Sequence, residues 1–347
     1  MRFPTLQTIS ATLADSRICG LMVWTVAAKL LLQQNMHLKL IAGNANVPLA
    51  ENIAHALDVP LSNRDIYRFP DGELHVEIQE TVRGDDVYLI QPTGPPVEER
   101  LFELLLLADA CRRAGAASVT AVVSYFGYAR HDRRASGREA VGARLVADLI
   151  GAARVNRVVA LDLHVTSLEG FFPVPVEHLT AVPRLLEQVR CRVTDNSIVV
   201  AADLGAAKLA ERYASALRVP AAIVHKRRLS GEQVRVRAIA GEVRGRVPLI
   251  IDDMISTGGT VEAAVKALVE AGAVPEVDVV ATHGVLVGAA IERLAGCGVR
   301  GLIVTDSVMI PDTQALPLEV VSVGSLLADA IGRLHRGQSL ATLIRHE

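Results

Sequence analysis

The sequence predicts an α/β protein of two tandem domains, each a mainly parallel sheet flanked by helices. Three observations carry that prediction. Short apolar runs alternate with amphipathic stretches from Met36 onward, the runs are apolar on both faces, and the cycle restarts once after residues 173–183 (PVPVEHLTAVP). Strands buried on both faces belong to parallel sheets, whose neighbours are joined by crossover helices. At 347 residues, 50% of them hydrophobic, the chain holds enough apolar material for two ordinary cores.

In the first cycle LKLIAG reads as a strand and VPLAENIAHALDV as a helix with Ala50, Ile53, Ala54 and Leu57 on one face. DVYLIQP is a strand, EERLFELLLLADACRRAG a long helix, and SVTAVVSYFGYAR a strand running into a loop. REAVGARLVADLIGAA is a helix and RVVALDLH a strand that ends in polar groups. The second cycle runs SIVVAAD (strand), GAAKLAERYASAL (helix), PAAIVHKRR and VPLIIDD (strands), then GGTVEAAVKALVEAG (helix). EVDVVATHG, AAIERLAGCG and GLIVTDS add strand, helix and strand, and VSVGSLLADAIGRLHRG closes the chain as a helix. The expected division is 36–180, 181–321, and a terminal segment 322–347 that packs back on the first domain.

Residues 1–35 differ from the rest. The apolar run at 18–32 is interrupted by Lys29 and is shorter than the roughly 20 residues that span a bilayer. No small-residue cleavage site follows it in LLLQQNMHLK. The expectation is that the start was assigned too early, that Met36 opens the native protein, and that 1–35 is no part of it. A membrane or organelle address is the alternative.

A net charge of −2 supplies no global basic field for nucleic acid. Cys19, Cys111, Cys191 and Cys297 are scattered without metal-ligand spacing, as for reduced thiols in the cytoplasm. There is no G-x-x-x-x-G-K-[ST] phosphate loop. In open parallel sheets ligands lie beyond the carboxyl ends of strands. Polar clusters stand there after VVSYF, VVALD, VVAAD, AAIVH and PLIID, which favours an enzyme or nucleotide binder over a scaffold.

The sharpest of these clusters is LIIDDMISTGGT, residues 249–260. An apolar strand delivers Asp252 and Asp253, and Ser256-Thr257-Gly258-Gly259-Thr260 then opens a helix. Glycines let backbone N–H groups approach an anion, and a helix N-terminus adds positive potential. The paired carboxylates can accept hydrogen bonds from adjacent sugar hydroxyls, so one sugar phosphate would be held at both ends. A strand, an acidic turn and a glycine-rich cap would explain the fold but not the pair of aspartates. Arg130, His131, Asp132 and Arg133 follow one strand, where cations suit a polyphosphate or equally a solvated loop. His164 closes VVALDLH and Asp203 closes IVVAAD; either can be structural or face a cation. Lys226, Arg227 and Arg228 hold three cations together, as an anion site or a basic surface hairpin would.

LIIDDMISTGGT resembles the phosphoribosyl pyrophosphate loop shared by phosphoribosyltransferases and ribose-phosphate pyrophosphokinases. Resemblance to the second family extends in order through FPDGELHVEI, VRGDDVYLIQPT, RLFELLLLADACRRAGA, VVSYFGYARHDR, VVALDLH, EGFFPVPVEHL, VHKRR, ATHGV and LIVTDS. It covers about residues 37–345. It implies two phosphoribosyltransferase-like domains, the first taking ATP and the second ribose 5-phosphate, with phosphoribosyl pyrophosphate and AMP as products. By the same resemblance Arg130 and His131 bind ATP, His164 and Asp203 hold the Mg²⁺ of Mg-ATP, and Lys226 and Arg228 stabilise the transition state. Asp252, Asp253, Ser256, Thr257, Gly258, Gly259 and Thr260 would bind ribose 5-phosphate. Asp71, Gly72 and Glu73 would reach the adenine site of a neighbouring subunit. That implies a homo-oligomer built from dimers, up to a hexamer, in the cytoplasm, with neither nucleic acid nor membrane as partner.

Four departures from the family pattern stand out. His131 replaces a usual Gln, and Ala202-Asp203-Leu204-Gly205-Ala206 replaces Pro-Asp followed by a glycine pair. Leu209 replaces a frequent Arg, and Ser256 a frequent third acidic residue, so no carboxylate base stands there. A phosphoribosyltransferase, or a catalytically weak regulatory homologue, are the rival expectations.

Overall fold

The computed structural model describes residues 36–344, except Ala135 and 229–233; the side chains of 226–228 and 234–237 are also outside the described set, as are residues 1–35 with the extension read there. The first half contains β1 (Leu38–Ala42), α1 (Val47–Leu57), β2 (Arg64–Arg68), β3 (Leu74–Ile78), β4 (Asp86–Ile90), α2 (Val97–Arg113), β5 (Ser118–Val123), α3 (Gly142–Ala152), β6 (Arg157–Leu161) and β7 (Val176–Leu179). It continues with α4 (Val182–Val189), β8 (Ser197–Ala201), α5 (Ala207–Leu217), β9 (Ala221–Arg228), β10 (Val234–Ala240), β11 (Val247–Ile255) and α6 (Gly259–Glu270). Then come β12 (Val277–Gly284), α7 (Ala290–Gly296), β13 (Val299–Thr305), β14 (Leu318–Val321) and α8 (Gly324–His335).

The first sheet is parallel throughout, in the order β1-β4-β5-β6-β7. The second runs β10-β9-β8-β11-β12-β13-β14 and is parallel except for β10, which is antiparallel to β9. The fold is thus the α/β architecture the alternation predicts. Because side chains alternate across a strand, each strand feeds two cores. Leu40, Tyr88, Val122 and Val159 of the first sheet enter one core together with Val199, Ile251, Val280 and Ile303 of the second. Helices α1, α4, α5 and α8 fill the space between them. The opposite faces pack separately, Ile41, Leu89 and Val158 against α2 and α3, and Ile250, Val279 and Val304 against α6 and α7. Burial of each such side chain is worth about 2 kcal/mol, so the shared core couples the two sheets firmly.

Several elements were not apparent in the sequence. The hairpin β2–β3 is half exposed and as polar as it is apolar, with Ile66, Val76 and Ile78 packed under it. β7, α4 and β14 are short. β10 alternates Val and Arg at the sheet edge. Helix α1 starts where the Asn46 side chain accepts from Leu49 N–H and stops at Asp58, whose φ is 54°. Helix α8 crosses α1 closely enough that a Cβ on Gly324 would meet Asn52 Cβ at 2.8 Å. Among the described residues, no helix is long and apolar enough to cross a membrane.

Candidate active site

In the second sheet the chain winds outward from β8 to β9 and β10, then returns to start β11 on the other side of β8. That reversal opens a crevice beyond the carboxyl ends of β8 and β11, the place where open α/β sheets take ligands. The last β8–β11 pair is Ala201 with Ile251, and the next residues of β11 are Asp252 and Asp253. Asp203 stands just past β8. Its Oδ1 accepts from Gly205 N–H at 2.8 Å and Ala206 N–H at 3.3 Å, capping a short turn into α5.

The carboxyl ends of the first sheet face this crevice. His164, two residues beyond Asp162 at the end of β6, brings Nδ1 to 2.6 Å from Asp253 Oδ2. Around them the seam is closed by direct bonds between the halves. Thr282 Oγ1 donates to Asp162 Oδ2 at 2.9 Å, Ser124 Oγ to the Ser307 carbonyl at 2.7 Å, and Asn46 Nδ2 to the Asp306 carbonyl at 2.7 Å. Tyr125, Phe126, Leu163, His164, Met254 and His283 line the narrow crevice between.

The electrostatics follow from burial and crowding. Asp252 is pushed well above the ordinary carboxylate range, first by burial and then by the charges of Asp253 and Asp203. Burial also acts to raise Asp253, but the hydrogen bond and charge of His164, with Asp252 and His283, outweigh it and hold Asp253 below its ordinary value. The bond to Asp253 raises His164 against the opposing effect of burial; the charges of Asp253 and Asp132 help, and Arg130 opposes. Arg130, Asp132 and Asp253 thus act on His164, and Asp253 and Asp203 on Asp252, with the His164–Asp253 pair linking the two sets.

After Asp253 the chain turns through Ser256 and Thr257 to Gly258, which adopts φ 75° and caps α6. Glycine has no side-chain oxygen to offer the first-turn N–H groups, and a side chain there would meet Ala290 O and Leu294 at 3.4 Å. Arg293, which sequence reasoning did not single out, lies over the same turn: its Nη1 is 3.1 Å from where a Cβ on Gly259 would stand, and its Nε is 3.4 Å from Glu262. Lys266 also pairs with Glu262, at 2.6 Å, so the acidic residue in the first turn of α6 is balanced by two cations.

Other expected site residues lie elsewhere. His131 is exposed, and its ring stacks edge-on to Tyr128 with centroids 5.6 Å apart. Asp71, Gly72 and Glu73 form the exposed tip of the β2–β3 hairpin. Asp71 Oδ1 accepts from Glu73 N–H, and the tip sits beside Arg68, Glu99 and Phe102 over α2. Within one chain they are not part of the Asp252–Asp253 cluster. β9 last pairs with β8 at Ile223 and runs on to Arg228 paired with β10 alone, so Lys226 and Arg228 belong to a two-stranded extension of the sheet. Their side chains lie outside the described residues. The methyl of Ala206 is buried in the shared core and Leu209 packs against it, so neither departure faces the crevice.

Comparison with known proteins bears on this geometry. Residues 38–153 match the family model of the N-terminal domain of ribose phosphate pyrophosphokinase, and residues 233–345 that of the phosphoribosyl synthetase-associated domain. The ribose-phosphate pyrophosphokinase of Nostoc sp. is 43% identical over 90% of this chain and 96% of its own length. That of Bacillus subtilis is 41% identical over 88% and 97%. The crystal structure of phosphoribosylpyrophosphate synthetase from Mycobacterium smegmatis superposes with a TM-score of 0.79 at 38% identity, covering 87% of this chain and 99% of that one. A switch-point carboxylate pair above a glycine turn, set in a chain matched along nearly its whole described length, makes this protein an enzyme of the ribose-phosphate pyrophosphokinase family.

Proposed function

We propose that the protein transfers the β,γ-pyrophosphoryl group of Mg-ATP to the C1 hydroxyl of ribose 5-phosphate. Phosphoribosyl pyrophosphate and AMP are the products, and the product feeds nucleotide synthesis. The observation that carries this reading is the His164–Asp253 bond, which brings a carboxylate of the sugar-phosphate loop against the strand end that the family uses for nucleotide.

On this reading the phosphate of the sugar rests on residues 256–260, against the glycine turn and the N-terminus of α6. Its ring hydroxyls donate to Asp252 and Asp253. ATP lies between the halves, with Arg130 and His131 on its polyphosphate and base. The C1 oxygen attacks the β-phosphorus in line while the bond from that phosphorus to the α,β-bridging oxygen breaks, and AMP leaves with that oxygen. The hydroxyl proton is lost as the new P–O bond forms, and Asp252, whose proton affinity is raised by burial and by its carboxylate neighbours, is suited to take part. Lys226 and Arg228, carried beyond β8 on the β9–β10 extension, would offset charge on the bridging oxygens.

The donor chemistry of the crevice suits a hard cation, since Asp203, Asp252 and Asp253 offer carboxylate oxygens in one crowded acidic cluster. Among the described residues no three His, Cys, Asp or Glu side chains are arranged to hold an ion alone. His164 and Asp203 would therefore hold Mg²⁺ jointly with phosphate oxygens of the nucleotide. When bound, the ion neutralises phosphate charge and orients the chain of phosphates.

We further read 36–180 as the ATP domain, 181–321 as the sugar-phosphate domain and 322–347 as a return onto the first. The exposed position of Asp71, Gly72 and Glu73, away from their own chain's crevice, supports delivery to a neighbouring subunit in a dimer-based homo-oligomer, up to a hexamer. Charged substrates that do not cross bilayers favour the cytoplasm. The test is to incubate the purified protein with ATP, ribose 5-phosphate and Mg²⁺ and follow AMP and the C1 diphosphate by ³¹P NMR. Absence of AMP, or consumption of phosphoribosyl pyrophosphate with a free base instead, would refute the reading.

A further inference from the structure

His178 of β7 is a buried imidazole to which the scheme above gives no work; it is 2% exposed. Its Nε2 accepts the backbone N–H of Leu163 at 2.9 Å. A backbone N–H only donates, so that nitrogen carries no proton and the neutral ring holds its proton on Nδ1. Nδ1 stands 2.7 Å from Glu169 Oε1, an acceptor in the short helical turn Thr166–Phe171. The carboxylate thus fixes the tautomer, and the tautomer fixes which nitrogen meets Leu163.

Leu163 sits between Asp162 and His164, and the rest of this tripeptide is also held. Asp162 adopts φ 37°, a left-handed conformation that costs a non-glycine residue about 1–2 kcal/mol. Its Oδ2 accepts from Ala181 N–H and Thr282 Oγ1, both at 2.9 Å, and its own N–H donates to the Leu179 carbonyl at 3.0 Å. These bonds anchor Asp162 from β7, the segment after it, and β12. His178 adds a hold on the Asp162–Leu163 peptide, one peptide before His164. An imidazole nitrogen has one lone pair in the ring plane, so a ring held at its other nitrogen gives Leu163 N–H a single direction.

We propose that His178, oriented by Glu169, is a positioning residue that aims His164 across the seam at Asp253. This rests on the reading of His164 as part of the nucleotide site. Misplacement of a reacting group by about 1 Å is enough to lower turnover about 100-fold, which is the leverage a peptide-level grip provides.

The experiment compares His178→Leu, His178→Gln and Glu169→Ala in the full chain. It measures kcat, KM for ribose 5-phosphate, and the ring ¹⁵N shifts of His178 by NMR. His178→Leu should lower kcat about 10–100-fold, with KM for ribose 5-phosphate within about twofold of wild type. His178→Gln places a side-chain acceptor near the position of Nε2 and should recover kcat to within about threefold of wild type. Glu169→Ala should lower kcat about 3–10-fold and release the ring from its Nδ1-protonated form. A wild-type kcat in His178→Leu overturns the proposal. So does an equal loss in the Leu and Gln variants with KM rising alike, or a wild-type ring protonated on Nε2. Should His178→Leu not fold, Glu169→Ala decides, because that side chain is 44% exposed and its removal leaves no cavity; an unchanged kcat there overturns the idea. Failure of the functional reading is separate: a wild-type protein that forms no AMP refutes that reading, whereas the ring spectrum tests the grip on its own.

Discussion

Nδ1 of His164 lies 2.6 Å from Oδ2 of Asp253, a bond between a loop of the first sheet and a strand end of the second. It joins residues 89 positions apart and leaves the histidine's other ring nitrogen, Nε2, for whatever enters the crevice. Each partner shifts the other: His164 is raised and Asp253 lowered. Asp253→Asn keeps the size and removes the charge. Its expected result is a kcat about 10–100-fold lower and a His164 NMR titration moved down toward the ordinary histidine value. An unmoved titration would mean that the bond does not persist in solution.

Neighbouring glycines in the turn that opens α6 should respond differently to the same methyl. Gly258 has φ 75° and packs against Ala290 O and Leu294, so alanine there meets both a backbone penalty and a tight neighbour. Gly258→Ala should lower the free energy of unfolding by about 1–2 kcal/mol, read from urea melts. Gly259 begins α6 with ordinary φ, and the atom a new Cβ would meet is the far end of Arg293. Gly259→Ala should therefore cost less than half as much. Equal losses would show that φ at Gly258 is not what selects glycine.

Much of this site could be read from the chain because its parts are local. Asp252, Asp253 and Gly258 fall within one strand-turn-helix unit, where apolar run, paired acids and glycines are adjacent in sequence. The α/β class was equally legible, since each buried strand is a contiguous apolar run. What could not be read depends on pairs far apart: Thr282 on Asp162, Ser124 on Ser307, and Arg293 over Gly259. The hairpin β2–β3 escaped for another reason. LHVEI does alternate apolar and polar residues, but the run is only five residues long and its partner RDIYR does not alternate. The signal is therefore weak, and the antiparallel pairing is visible only in the fold.

Arg293 gives the next prediction. Its guanidinium lies beside Gly259 and is shared with Glu262, yet the side chain is 38% exposed, so solvent screening keeps its contribution modest. Arg293→Met removes the cation and keeps most of the apolar stem. KM for ribose 5-phosphate should rise about 3–10-fold, while KM for ATP and kcat change little. Steady-state kinetics with each substrate varied separately makes the comparison. A rise confined to ATP would place Arg293's influence on the other half of the reaction.

The seam itself should be sensitive to acid through His283. This residue is buried. Its Nε2 donates to the Asp162 carbonyl at 3.2 Å, which leaves Nδ1 to accept from Ser307 Oγ at 2.8 Å, and its ring meets Tyr125 edge-on at 5.0 Å. Burial depresses its proton affinity more than Asp162, Asp253 and the Leu161 backbone raise it. A histidine whose folded value is depressed contributes stability that is present above the unfolded value, about 6.5, and lost as pH falls through the folded value. Each unit of depression corresponds to about 1.4 kcal/mol. Urea unfolding of the wild type should therefore weaken as pH drops from about 6.5 toward 5, and His283→Gln, which cannot take up the proton, should weaken less over that window. Parallel pH profiles for the two proteins would assign the acid sensitivity to other groups and leave the His283–Ser307 bond without a role in it.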